Sequence, residues 1–219
     1  MIEREKSLEA ISDIRRMMEK SSRFISLSGL SGVSAGVCAL IGAWIAWPFA
    51  YGTREQFIDV PAGISLAFVE SYYNVFNLWL FWIALGTFIA AFLSALFFTW
   101  LRSKKEGFPL WGNTARRLVI NVSVPMITGA IFLGMLVHYA AVEFVAPGCL
   151  IFYGLGLVNA SKYTLNEIRY LGYCEIFLGL VSLFFIGYGL FFWAVGFGLL
   201  HIFYGSYMWW KYERADANQ

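Results

Sequence analysis

Two ionisable residues, Glu175 and His201, stand inside long apolar stretches of the chain. Glu175 comes 13 residues before Tyr188, and His201 comes 13 residues after it. If these stretches are antiparallel helices joined near Tyr188, both side chains lie about 20 Å from the turn, at 1.5 Å per residue. A carboxyl group and an imidazole at one depth can exchange protons, because an imidazole titrates near neutral pH. The spacing therefore predicts a functional Glu–His site within the membrane.

Two further polar residues, Asn159 and Arg169, fall at or near this level in the neighbouring segments. We expect Glu175, His201, Asn159 and Arg169 to line a polar cavity that faces the cytoplasm. Such a cavity would bind or transport a small solute, an ion or a lipid. The same residues also allow a structural interpretation, in which buried Glu175 pairs with His201 or Arg169 and only holds helices together.

A run of small residues in the first apolar stretch contains Gly29-Leu30-Ser31-Gly32, followed by Gly36. It resembles the GxSGxxxG element of rhomboid intramembrane serine proteases. The resemblance implies a six-helix core in which Ser31 is the nucleophile and His201, on a later span, is its base. The motif here stands in the first span rather than the fourth, and the family's His and Asn on an early span are absent. Gly32 and Gly36 also form a small-xxx-small pair, which predicts a helix-packing face.

Motifs of other enzyme classes are missing from the sequence. It contains no HExxH pair for zinc, no P-loop and no dinucleotide-binding glycine pattern. The cysteines Cys38, Cys149 and Cys174 are scattered through or near apolar stretches, which argues against a disulfide framework and a metal site. His138 and His201 lie at different depths, so we do not expect a haem held by both. We expect no cofactor and no metal, and the sequence favours a role other than catalysis.

The composition is that of a membrane protein. Hydrophobic residues make up 59% of the 219 residues and charged residues 14%, whereas soluble domains have roughly 45–50% and 25%. The aromatic fraction of 19% suits lipid-facing surfaces and interfacial belts. The lipid bilayer is therefore the expected environment, and a net charge of +2 does not suggest a nucleic-acid partner.

Apolar runs of about 20 residues predict an all-α integral membrane protein, a bundle of about six transmembrane helices. The predicted spans are residues 25–49, 75–101, 118–139, 144–160, 166–186 and 190–210, within a membrane domain of residues 25–211. The last two are divided at Gly187-Tyr188-Gly189, because one helix from Ile176 to Trp210 would be about 52 Å long. Residues 50–73 form the only sizeable external loop of this scheme, and residues 212–219 form a cytoplasmic tail.

Residues 1–24 predict an amphipathic helix on the cytoplasmic side or in the membrane interface. Leu8, Ile11, Ile14 and Met18 recur at intervals of three and four, with charged residues on the remaining face. An alternative function follows from this segment. The protein would be a non-catalytic membrane subunit or sensor that recruits a cytoplasmic partner through residues 1–20.

Lysine and arginine residues predict the orientation. Of these 16 residues, all but Arg54 lie in the N-terminal segment, the 102–117 loop, the 162–169 connection or the C-terminal tail. With six spans these four segments share one side, which the positive-inside rule assigns to the cytoplasm. We expect a multi-pass protein of a bacterial inner membrane, with both termini in the cytoplasm. The glycine-rich first span is a surface through which a homo-oligomer would form.

Overall fold

The chain is mainly helical and has no strands in the residues that the structure, a computed structural model, describes. These residues are 28–56, 66–107, 111–139 and 141–214, without the side chains of residues 52–77 and 106. The described helices are α1 (Gly29–Gln56), α2 (Leu66–Glu106), α3 (Asn113–His138), α4 (Val145–Ala160), α5 (Asn166–Ser182) and α6 (Gly189–Glu213). A 3-10 turn, Val142–Phe144, precedes α4. The predicted amphipathic helix of residues 1–24 lies outside the described residues.

Five of these helices contain a segment long and apolar enough to cross a membrane. The segments are Gly29–Tyr51, Leu78–Lys105, Asn113–His138, Val142–Ala160 and Gly189–Glu213. Helix α5 is not among them, since its 17 residues give a length of about 26 Å, whereas the hydrocarbon core is about 30 Å thick. The described part of the chain therefore has the helices of a multi-pass membrane protein.

The helix ends differ most from the predicted spans around residues 50–73. Helix α1 continues through Pro48 to Gln56, and α2 begins at Leu66, so a large part of the predicted loop is helical. Helices α4 and α6, in contrast, begin and end within three residues of the predicted spans. The chain reverses between α5 and α6 at Gly187, whose φ of 99° is a conformation that glycine adopts readily.

Glycines bring α1 and α6 into close contact. A Cβ atom at Gly32 would lie 3.1 Å from the Cα atom of Gly205, and one at Gly36 would lie 2.7 Å from the carbonyl oxygen of Gly198. Small residues allow this approach, and it is typical of helix pairs in membranes. Helix α6 also contacts α4 and α5, whereas α2 packs on α1 and α3 packs on α4.

Polar contacts join four helices at one end of the bundle. Glu213 Oε1 accepts a hydrogen bond from the backbone N–H of Gly29 at 2.5 Å and lies 3.4 Å from Arg102 Nη1. Glu167 Oε1 accepts a hydrogen bond from Lys211 Nζ at 2.6 Å. The start of α1, the end of α2, the start of α5 and the end of α6 therefore meet there.

Candidate functional site

The side chains of Glu175 on α5 and His201 on α6 face each other. His201 Nδ1 lies 3.4 Å from Glu175 Oε1, and both side chains are buried, Glu175 with an exposed fraction of 0%. Their equal distance from Tyr188 along the chain therefore corresponds to one depth in the bundle. Neither carboxyl oxygen of Glu175 has a hydrogen-bond partner among the described residues.

The backbone of α6 leaves room for this carboxyl group at Gly196. A Cβ atom at Gly196 would lie 2.5 Å from Glu175 Oε2 and 2.5 Å from Leu150 Cδ2. Gly196 belongs to a π-helical segment, Ala194–Leu200, that directly precedes His201. Segments of this kind are rare inside α-helices and occur frequently at functional sites. The carbonyl oxygen of Gly196 lies 3.0 Å from His201 Nδ1, within hydrogen-bond distance.

Tyr153 on α4 contacts the second ring nitrogen of His201, with 2.7 Å between the hydroxyl oxygen and Nε2. Because a carbonyl oxygen only accepts, the hydrogen bond to Gly196 requires the hydrogen on Nδ1. In the neutral ring, Nε2 then accepts the hydroxyl hydrogen of Tyr153. Tyr153, His201 and Glu175 thus form a row from α4 through α6 to α5, in which the neutral ring of His201 carries its hydrogen on Nδ1 and can accept a second one on Nε2.

A cavity of about 430 Å³ lies between α2 and α3, which supply most of its lining, and residues of α1, α4 and α6 complete the wall. Tyr153 and His201 both line it. Most of its wall consists of small and aromatic side chains, among them Ala84, Ala91, Ala130, Phe88, Phe92 and Phe197. Three further lining residues with polar atoms are Thr87, Cys149 and Trp193. The Thr87 hydroxyl already donates to the carbonyl oxygen of Ile83 at 2.8 Å. The cavity is therefore mainly apolar, and its wall contains the hydrogen-bonded pair of Tyr153 and His201.

Asn159 and Arg169 do not line this cavity. Asn159 Oδ1 accepts a hydrogen bond from Lys162 Nζ at 3.4 Å, and Arg169 Nε donates to Ser161 Oγ at 3.2 Å. Of the four residues predicted to line a polar cavity, the structure brings Glu175 and His201 together, and only His201 reaches the observed cavity. That cavity is also mainly apolar, unlike the predicted one.

Ser31 is placed near α6 but not against the imidazole of His201. Its hydroxyl donates to the carbonyl oxygen of Ser28 at 2.5 Å, and the two ring nitrogens of His201 bind Tyr153 and Gly196. The structure therefore lacks, at these residues, the hydrogen bond between nucleophile and base that a serine hydrolase uses. Within the described ranges, no group of three or more His, Cys, Asp or Glu residues is placed to hold a metal ion.

Two residues of this site, Tyr153 and Gly196, were not predicted from the sequence. Tyr153 is one of 12 tyrosines and lies in an apolar span without any motif. Gly196 is one of 21 glycines, and no local pattern distinguishes it as the start of a π-helical contact with His201.

Comparisons with protein-family models, with curated proteins and with solved structures find no match for this chain. The function is therefore inferred from the geometry of the row and the cavity.

Proposed function

We propose that the protein binds a lipid-soluble molecule inside the membrane, in the cavity between α2 and α3. The observation that carries this proposal is an apolar chamber of about 430 Å³ with a Tyr153–His201 pair in its wall. Ligand pockets typically measure about 300–1,000 Å³ and combine apolar walls with a few placed polar groups. A free ion or a hydrophilic solute would find few partners there, because a desolvated polar group without hydrogen bonds costs several kcal/mol.

The position of the cavity suits a ligand that arrives from the bilayer. The two helices that supply most of its lining, α2 and α3, pack mainly on different neighbours, α1 and α4. Large apolar side chains outside the cavity are exposed on both helices, for example Leu93 and Ile131. A lipid-soluble molecule would pass between these helices without crossing a polar surface, so binding and carriage of such a molecule are the activities that we assign to the bundle.

We infer six membrane spans, with both termini on the cytoplasmic side of a bacterial inner membrane. Support comes from the contacts that join Arg102 to Glu213 and Lys211 to Glu167. They place basic residues at the end of α2 and the end of α6 at one end of the bundle. The positive-inside rule assigns that end to the cytoplasm, and α5 then has to cross the membrane.

A cavity-filling variant tests the ligand proposal. Ala91 lines the cavity, whereas its neighbour Ala90 is exposed and does not line it. We expect the purified wild-type protein and Ala90→Phe to carry a co-purifying lipid-soluble molecule, measured by native mass spectrometry and by solvent extraction. We expect Ala91→Phe to lose that molecule, because the added ring occupies the chamber. The same bound lipids in all three proteins, or none in the wild type, would refute the proposal.

A further inference from the structure

The chemistry of the ligand's polar group follows from the charges around His201, if the cavity binds a lipid-soluble molecule as proposed. The helices packed around the His201 ring carry a few titratable side chains. Helix α4 has Tyr153 and Cys149, and α5 has Glu175 and Cys174. Helix α6 has Tyr204, whose hydroxyl contacts the Cys174 thiol. No Lys or Arg of the described ranges forms an ion pair with Glu175. A charge brought into this site must therefore be balanced by a proton.

Glu175 and His201 together hold one exchangeable proton at zero net charge. They are either a neutral acid beside a neutral imidazole, or a carboxylate beside an imidazolium 3.4 Å away. Forms with a net charge are costly because both side chains are buried among membrane helices. The Glu175–His201 pair can therefore take up a further proton only if an anion binds beside it. His201 is the member of the pair that lines the cavity, so it is the residue that an anion there would meet.

We propose that the cavity binds a long-chain carboxylic acid and that His201 accepts the proton of that acid. The ligand enters as the neutral acid, its O–H bond breaks, and the proton forms the Nε2–H bond of His201. The Tyr153 hydroxyl, released from Nε2, donates to the second carboxylate oxygen, while Nδ1–H stays on the Gly196 carbonyl and Glu175 keeps its proton. No net charge enters the membrane in this exchange, and the alkyl chain occupies the apolar part of the chamber.

The geometry favours a carboxylate over a phosphate as the bound anion. Two donors, the Nε2–H of His201 and the hydroxyl of Tyr153, match the two oxygens of a carboxylate. A phosphate carries more oxygens and more charge, and the lining of this cavity contains no Lys or Arg to neutralise it. An ester lacks the proton to transfer and would meet a neutral imidazole.

The test uses cis-parinaric acid and its methyl ester as fluorescent probes, with the full-length protein in lipid nanodiscs. Trp193 lines the cavity and serves as the energy donor, so Trp193→Phe identifies the signal that comes from this site. We expect the wild type to bind the acid about tenfold more tightly than the ester, as a charge-assisted hydrogen bond would provide. We expect His201→Gln to bind both probes equally and Tyr153→Phe to show a reduced preference. We expect Ala90→Phe, whose side chain lies outside the cavity, to keep the full preference.

A second measurement does not depend on whether a His201 variant folds. When wild-type protein binds the acid from its anionic form in weakly buffered solution, we expect uptake of one proton per acid bound, and no uptake with the ester.

Equal binding of acid and ester by the wild type, or a preference that survives in His201→Gln, would overturn the assignment of an acid. If both probes bind equally and Ala91→Phe abolishes both signals, the proposed function stands and only this inference falls. If neither probe transfers energy from Trp193, this inference falls, and the proposed function falls with it when the wild type also carries no co-purifying lipid-soluble molecule.

Discussion

At the scale of single residues, the environment of Glu175 limits its chemistry. The side chain is fully buried and has no hydrogen-bond partner among the described residues, but an imidazole lies 3.4 Å away. A lone carboxylate there would cost several kcal/mol, so the carboxyl group is stable as the neutral acid or beside an imidazolium. Ligand contact falls to His201, because only that member of the pair lines the cavity.

Gly196→Ala should disturb this pair directly. The added Cβ atom would lie 2.5 Å from both Glu175 Oε2 and Leu150 Cδ2, so one or both side chains must shift. We expect a loss of about 1–3 kcal/mol in the free energy of unfolding, as is usual for overpacking. The measurement is the thermal unfolding of the purified variant in one detergent, followed by size-exclusion chromatography of the heated samples.

Gly134→Ala on α3 is the matched control, since a Cβ atom there meets nothing within 4 Å. Alanine favours a helix over glycine by up to about 1 kcal/mol, so this variant should unfold at the same temperature or slightly higher. If Gly196→Ala unfolds together with Gly134→Ala, the carboxyl group of Glu175 does not lie against α6 as described.

The common depth of Glu175 and His201 could be predicted from the sequence, because the rise per residue of a helix is nearly constant. Their mutual orientation could not, since it depends on rotation about each helix axis. The π-helical segment Ala194–Leu200 changes that rotation just before His201. The contact with Tyr153 depends in turn on how α4 packs against α6, which no local pattern encodes.

At the scale of helices, hydropathy located the apolar segments more accurately than the helix ends. The first predicted span ends at residue 49, next to the interfacial residues Trp44, Trp47 and Pro48, yet α1 continues to Gln56. An interfacial aromatic belt marks where the hydrocarbon ends, and a helix can continue past it into the polar region. The predicted start of the second span at residue 75 and the observed start of α2 at Leu66 differ for the same reason. At the glycine turn around Gly187, α6 begins at Gly189, one residue from the predicted start, whereas α5 ends at Ser182, four residues before the predicted end of the fifth span.

Glu213→Gln should loosen the junction of α1, α2 and α6. The Glu213 carboxylate accepts the backbone N–H of Gly29 at the start of α1 and lies 3.4 Å from Arg102 on α2. A negative charge at a helix N-terminus and a charge-assisted hydrogen bond are each worth roughly 1–2 kcal/mol in a partly buried position. We expect a lower unfolding temperature in the same detergent assay, with the acid preference of the cavity unchanged.

Glu143→Gln serves as the comparison for this variant. Glu143 is exposed in the turn before α4 and makes no hydrogen bond or ion pair that the structure describes. Its replacement removes the same charge without a described contact, so the unfolding temperature should stay close to that of the wild type. Equal behaviour of the two variants would show that the contacts of Glu213 do not hold the helices together.

At the scale of the whole molecule, the cavity results from the order in which the helices pack. Helix α2 packs on α1, and α3 packs on α4, while α6 contacts both α1 and α4. The space between α2 and α3 is therefore left to small side chains such as Ala91 and Ala130. Hydropathy alone predicts the number and approximate place of the apolar segments, but this pairing depends on where small residues permit close contact.

The number of spans depends on α5, whose 17 residues are fewer than the 19 residues of the shortest segment able to cross a membrane, Val142–Ala160. Single cysteines at Tyr139, Lys162 and Tyr188, each exposed at a helix end, distinguish five spans from six in a variant whose native cysteines are replaced by alanine. With six spans and cytoplasmic termini, a membrane-impermeant maleimide should label Tyr139→Cys and Tyr188→Cys in intact bacterial cells. Lys162→Cys should react only after the membrane is permeabilised.

Each alternative topology gives its own labelling pattern. If α5 does not cross the membrane, Tyr188→Cys will be protected together with Lys162→Cys, because both ends of α5 then lie on one side. If the protein is inverted, Lys162→Cys alone will react in intact cells. The cysteine-free protein should remain unlabelled in every case.

The six-span pattern would also place Glu175 and His201 within the bilayer, because equal distances from an external Tyr188 put both residues about 20 Å below the outer surface. In that position a carboxylic acid that enters from the lipid can ionise only if its proton stays at His201, since a net charge is costly at such a depth.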